Sequence, residues 1–166
     1  MHKRNIWGIL GCAALLSSAA LAATATANLT SSATIGATCS ITGNSMPFGA
    51  YDPFAGTAVT QSATISVTCV TGMTPPPIRM DQGLHPAAAS TGAVPLRRLA
   101  AGAGYLTYNL YSDAGTTVPW ENTTGVTSPV PTGSAQTMTV YGKIDAGQTT
   151  AIAGNYTDSV IVTVTF

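Results

Sequence analysis

Alternation with a period of two dominates this chain, and no stretch carries a helical period. From Ala23 the odd positions read Ala23, Ala25, Ala27, Leu29, Ser31, Ala33, Ile35, Ala37, Cys39 and Ile41, while the even positions are Thr, Ser, Asn and Gly. One face is small and apolar, the other largely hydroxylated. The run is far longer than an ordinary strand of ~5–6 residues, which predicts two extended segments with different destinations. The next predicted strand spans 59–69, with Val59, Ala63, Ile65, Val67 and Cys69 on one face and Thr60, Ser62, Thr64, Ser66 and Thr68 on the other. Pro75-Pro76-Pro77 opens a short extended stretch through Ile78 and Met80, and the Ala, Gly and Pro of 83–95 predict a loose loop.

Further strands are predicted at 96–99, around Leu106, Tyr108 and Leu110, and around Met138, Val140 and Ile144. Turn sequences at 112–115, 121–134 and 145–147 separate them. The last strand has the strongest pattern. Val160, Val162, Val164 and Phe166 face one way, Thr157, Ser159, Thr163 and Thr165 the other, and Ile161 is out of phase. Chain ends usually fray, so a strand this apolar running to the last residue is expected to be central. Short strands between turn signals predict an all-β antiparallel sandwich.

The first residues set the compartment. His2, Lys3 and Arg4 precede an apolar run from Ile6 to Leu16, and Ala20-Leu21-Ala22 supplies a small-x-small cleavage pattern. That order predicts a secretory signal peptide over 1–22, with Ala23-Thr24-Ala25 and Ala25-Thr26-Ala27 as later cutting points. Cys12 is read as part of this leader, because the apolar residues continue beyond it. No later stretch reaches the ~18 unbroken apolar residues of a membrane span, so an exported chain with no membrane span is expected.

Losing Lys3 and Arg4 with the leader leaves four basic against six acidic residues, a net of −2. So weak a charge argues against nucleic acid as a partner. Charged residues make up only 7% of the chain, and the Thr and Ser that replace them favour a pleated backbone. Cys39 and Cys69 are the cysteines left after cleavage. In an oxidising compartment such a pair predicts a disulfide. A metal or redox reading has no CxxC to support it.

Catalysis needs titratable groups placed together. Asp52 precedes a proline, and Asp113 and Asp145 stand in turn sequences, where carboxylates bond nearby amides. Asp81 and His85 are the one close acid–imidazole pair, with no activated nucleophile near them. Gly102-Ala103-Gly104 lacks the lysine and helix of a phosphate loop. No catalytic residue, cofactor site or metal site is expected.

Several segments resemble one family. Tyr108-Asn109-Leu110-Tyr111-Ser112-Asp113, Tyr141-Gly142-Lys143-Ile144, Ala146-Gly147-Gln148, Ile65-Ser66-Val67-Thr68-Cys69 and the G-x-Y-x-D-x-V-x-V-x-V-x-F pattern over 154–166 resemble the spore coat protein U domain. That family includes pilin subunits of archaic chaperone–usher pili. The resemblance implies an incomplete immunoglobulin-like sandwich over 34–166, one strand short and completed by donor-strand exchange. A periplasmic chaperone would lend a strand in transit, an outer-membrane usher would export the subunit, and a neighbouring copy or related pilin would then supply its N-terminal extension.

Residues 23–33 suit that donor role, with Ala25, Ala27, Leu29, Ser31 and Ala33 pointing into a neighbour's groove. Val160, Val162, Val164 and Phe166 resemble the acceptor and chaperone-docking strand. The implied destination is a cell-surface or extracellular fibre supporting attachment and biofilm. The alternative is a spore or cell-surface coat or matrix protein that assembles without a chaperone.

Overall fold

The computed structural model describes residues 24–166, and the leader expected at 1–22 lies outside the described residues. Residues up to Thr34 form one unit, and Ile35–Phe166 a second. Within the first, residues 24–34 are exposed and carry no regular secondary structure.

The second unit is built of eight strands: β1 (Cys39–Gly43), β2 (Val59–Cys69), β3 (Pro77–Met80), β4 (Arg97–Ala101), β5 (Gly104–Tyr111), β6 (Val126–Thr127), β7 (Gln136–Ile144) and β8 (Val162–Val164). They form two antiparallel sheets, one ordered β1-β2-β7-β5-β4 and the other β6-β3-β8. Alternation dictates which residues face inward, because successive side chains on a strand point to opposite faces. Ile65 and Val67 of β2, Leu106, Tyr108 and Leu110 of β5, and Val140 and Ile144 of β7 are buried. They share one core with Ile78 and Met80 of β3. Among the described residues no helix is long and apolar enough to cross a membrane.

The strand predicted at 59–69 is β2, residue for residue. Cys39 and Cys69 are direct cross-strand partners and form a disulfide with a Cα–Cα distance of 4.1 Å. It pins β1, an outermost strand of the large sheet, to β2. Two features depart from the pattern. The last strand is not central: β8 is three residues long and lies at the margin of the small sheet, paired with β3 alone. The loop at 83–95 is tied down by bonds such as Ala87 N–H to Leu96 O (2.9 Å) and Leu96 N–H to Ser90 Oγ (2.8 Å).

Sequence pattern also passed over Trp120, which is buried in the core. Its indole N–H donates to Ile78 O at 2.9 Å and its backbone N–H to Leu110 O at 2.8 Å, joining β3 to β5. A lone aromatic between Pro119 and Glu121 has no alternation around it to betray burial. Gly142 on β7 is the second such position. A Cβ there would stand 2.7 Å from the Phe48 ring, so any other residue would push the Met46 and Phe48 side chains off the sheet.

Candidate functional site: an apolar groove beside an open strand edge

The two sheets do not close on the flank where β1 and β8 approach each other. There a groove of about 1230 Å³ runs into the core. Its floor includes Ile65, Leu106, Leu110, Val140 and Ile144, and one wall carries Val160 and Val162. Alternation makes this floor apolar, since its residues are the inward members of β2, β5 and β7, while Asn44, Thr64, Thr157 and Asp158 add polar groups to the lining. Among the described residues β8 has one strand neighbour, β3, which leaves its other edge of N–H and C=O groups without a ladder. An apolar trough beside an unladdered edge has the chemistry of a strand-accepting site.

Segment 157–161 builds the wall ahead of β8. Thr157 pairs with Ala100 at the margin of the large sheet, with N–H···O distances of 3.0 and 2.9 Å. The chain then crosses to the small sheet. There Asp81 N–H donates to Ile161 O (3.1 Å), and Ile161 N–H donates to Asp81 Oδ1 (3.0 Å). Asp158, whose side chain is 1% exposed, accepts from the Tyr108 hydroxyl (2.7 Å) and from Leu84 N–H (2.9 Å). Burial, helped by that bond to Asp158, pushes the Tyr108 phenol far above its ordinary value, so it stays a donor.

Arg97 lies behind the crossing and is fully buried. Its guanidinium donates to Asp81 O (2.8 Å), Met80 O (3.1 Å), Trp120 O (2.8 Å) and Asn109 Oδ1 (2.6 Å). Burial lowers its pKa from the ordinary arginine value. The acid–imidazole pairing differs from the one read off the sequence. His85 Nδ1 lies 3.5 Å from Asp158 Oδ1, whereas Asp81 is engaged with the amides of Gly83 (2.9 Å) and Ile161. Chain proximity favoured Asp81, but the crossing brings Asp158 to the imidazole. The other aspartates serve locally. Asp52 accepts from Phe54 N–H (2.9 Å), Asp113 from Thr117 and Val118 N–H, and Asp145 pairs with Lys143 (2.8 Å). Among the described residues no group of three or more His, Cys, Asp or Glu is placed to hold a metal ion.

The structure brings part of the predicted docking strand together at the groove. Val160 and Val162 line it, and Val164 is half-buried opposite Ile78. Phe166 is 56% exposed and Ile161 63% exposed. Ala25, Ala27, Leu29, Ser31 and Ala33 are all exposed, Leu29 at 96%.

This chain is similar over its whole length to Protein U of Myxococcus xanthus, with 40% identity across 99% of this chain and 98% of that protein. Its fold is similar to one solved in the CsuC–CsuE chaperone–tip adhesion subunit pre-assembly complex from the archaic chaperone–usher Csu pili of Acinetobacter baumannii. That likeness has a TM-score of 0.57 at 20% identity and covers 80% of this chain, which spans 40% of the length of the other. The family model for the Spore Coat Protein U domain matches residues 25–163, and the chain belongs to that family.

Proposed function

We propose that the chain is an exported structural subunit that polymerises into a surface fibre of the chaperone–usher type by taking an extended strand from a neighbour. The apolar groove beside the open edge of β8 carries this reading. A lone subunit with such a trough is an aggregation hazard. An added strand satisfies the β8 backbone while alternate side chains fill the trough.

In this reading residues 23–33 are the donor extension of the body at 34–166, with Ala25, Ala27, Leu29, Ser31 and Ala33 entering the groove of the next copy. Val160, Val162, Val164 and Phe166 belong to the strand a periplasmic chaperone engages before an outer-membrane usher exports the subunit. Attachment and biofilm support are the roles such a fibre serves. Expression in the periplasm with and without a candidate chaperone tests the reading. We expect a soluble one-to-one complex with the chaperone, and aggregates or fibres without it. A chain that remains a stable monomer alone and never polymerises excludes it.

The full-length likeness to Protein U and the family's description as a spore coat domain favour a second reading, a coat subunit of a spore or cell surface. Ordered coat assembly from the purified chain with no chaperone present selects that reading over the first.

A further inference from the structure

Resting on the strand-accepting reading above, we propose that Asp81 and Asp158 form a reciprocal staple that holds the β8-side wall of the empty groove in its accepting position. The two carboxylates exchange partners across the crossing. Asp81, just after β3, accepts the amide of Ile161 in the wall, and Asp158 in the wall accepts the amide of Leu84 in the loop after β3. Asp158 also accepts from Tyr108 on the opposite sheet, so the staple reaches across the core. The loop is shaped for this carboxylate. Gly83 has φ +75°, and a Cβ there would stand 2.9 Å from Asp158 Cγ. Arg97, bonded to the carbonyls of Met80 and Asp81, supplies positive charge beside both acids.

The need for a staple follows from the topology. Between the Thr157–Ala100 bridge and the start of β8 the chain passes from one sheet to the other outside either ladder. Ser159 and Val160 of this stretch line the groove. When a strand occupies the groove, it pairs with β8 and supports the wall from the open side. When the groove is empty, support comes from the two aspartates, of which Asp158, with its partner Tyr108, lies in the groove lining itself. Asp81 and Asp158 are thus positioning residues that act on strand capture more than on retention, because pre-forming a site lowers the ordering cost of binding. The motif G-x-Y-x-D over 154–158 thereby gains a role for its acid.

Stopped-flow capture of a labelled synthetic peptide of residues 24–38 by the leader-free chain tests this, with Leu29→Asp in every protein, the one otherwise wild type included, so that no chain's own extension fills a neighbour's groove. The variants are Asp81→Ala, Asp158→Ala and the milder Tyr108→Phe, which keeps the ring and removes one donor. Association is expected to slow about tenfold for the alanine variants and about threefold for Tyr108→Phe, with dissociation within about twofold of wild type. Asp158→Asn, which keeps an acceptor for Leu84, should recover most of the rate. Asp113→Ala, on a distant turn, should lower thermal stability and leave capture unchanged. If wild type captures the peptide and the folded variants capture it equally fast, the staple is refuted while the strand-accepting reading stands. Faster release with unchanged capture also refutes it, because that pattern marks a general loosening. If wild type captures no peptide, the strand-accepting reading itself falls.

Discussion

Two charged side chains show how single residues are held in a body with few charges. Arg97 is fully buried, yet it donates to three carbonyls and one amide oxygen. Removing its guanidinium strands those acceptors in the interior at about 1–3 kcal/mol for each left dry. Arg97→Leu should therefore destabilise the fold by about 3 kcal/mol or more in urea unfolding, and a loss under 1 kcal/mol contradicts this account. Arg97→Lys should recover little, since an ammonium has no planar fork to reach carbonyls on opposite sides. Glu121 makes a prediction in pH. Burial pushes its carboxyl upward, but bonds from Thr123, Thr124 and Gly125 outweigh burial and hold it at about 2, below the ordinary 4.5. A depressed folded-state pKa stabilises above the unfolded value and is lost as pH falls through the folded one. Wild type should thus lose stability relative to Glu121→Gln between about pH 4.5 and pH 2, and the difference should be flat from pH 6 to 8. A difference that does not shrink on acidification rules out the bonded carboxylate.

At the scale of the strand, alternation reported where most elements lie but not what lies beside them, and it missed β6, two residues inside the stretch read as a turn sequence at 121–134. β2 is legible because eleven residues keep one period, and its inward face is apolar from Ala63 to Cys69. The pairing of Cys39 with Cys69 followed from compartment and number, and the register places the two side by side. The marginal position of β8 was not legible. Valine every second residue says that one face is covered, and is silent on whether both backbone edges are laddered. Trp120, Gly142 and the Asp158–His85 contact were hidden for a related reason, since each depends on segments far apart in the chain meeting at a crossing. The disulfide has its own test. It closes a separation of 30 residues and ties marginal β1, which lines the groove through Ile41, to β2. Replacing both cysteines by alanine should cost ~3–4 kcal/mol of unfolding free energy on the chain-entropy account. A double variant as stable as wild type in urea places the stability of β1 in its packing instead.

At the scale of the whole molecule, the body offers a trough with an apolar floor, while the segment of residues 24–34 presents small side chains and one large one, Leu29, exposed at 96%. If the trough of one copy takes the extended segment of the next, Leu29 is the residue with the most apolar surface to bury. Filling with leucine yields ~1.5–3 kcal/mol. An aspartate in the same place must instead be desolvated among Ile, Leu and Val with no cation beside it, at a cost of several kcal/mol. The two contributions act together on every junction of a polymer, so Leu29→Asp should reduce self-assembly by at least about a hundredfold. The same change should leave a chaperone complex intact if, as proposed, the chaperone's strand occupies the trough there and residue 29 takes no part. Co-purification with the chaperone measures the second outcome, and sedimentation with electron microscopy the first. Fibres of normal length and yield from Leu29→Asp would remove this segment from the donor role, whereas loss of the chaperone complex as well would place residue 29 in the folding of the body itself.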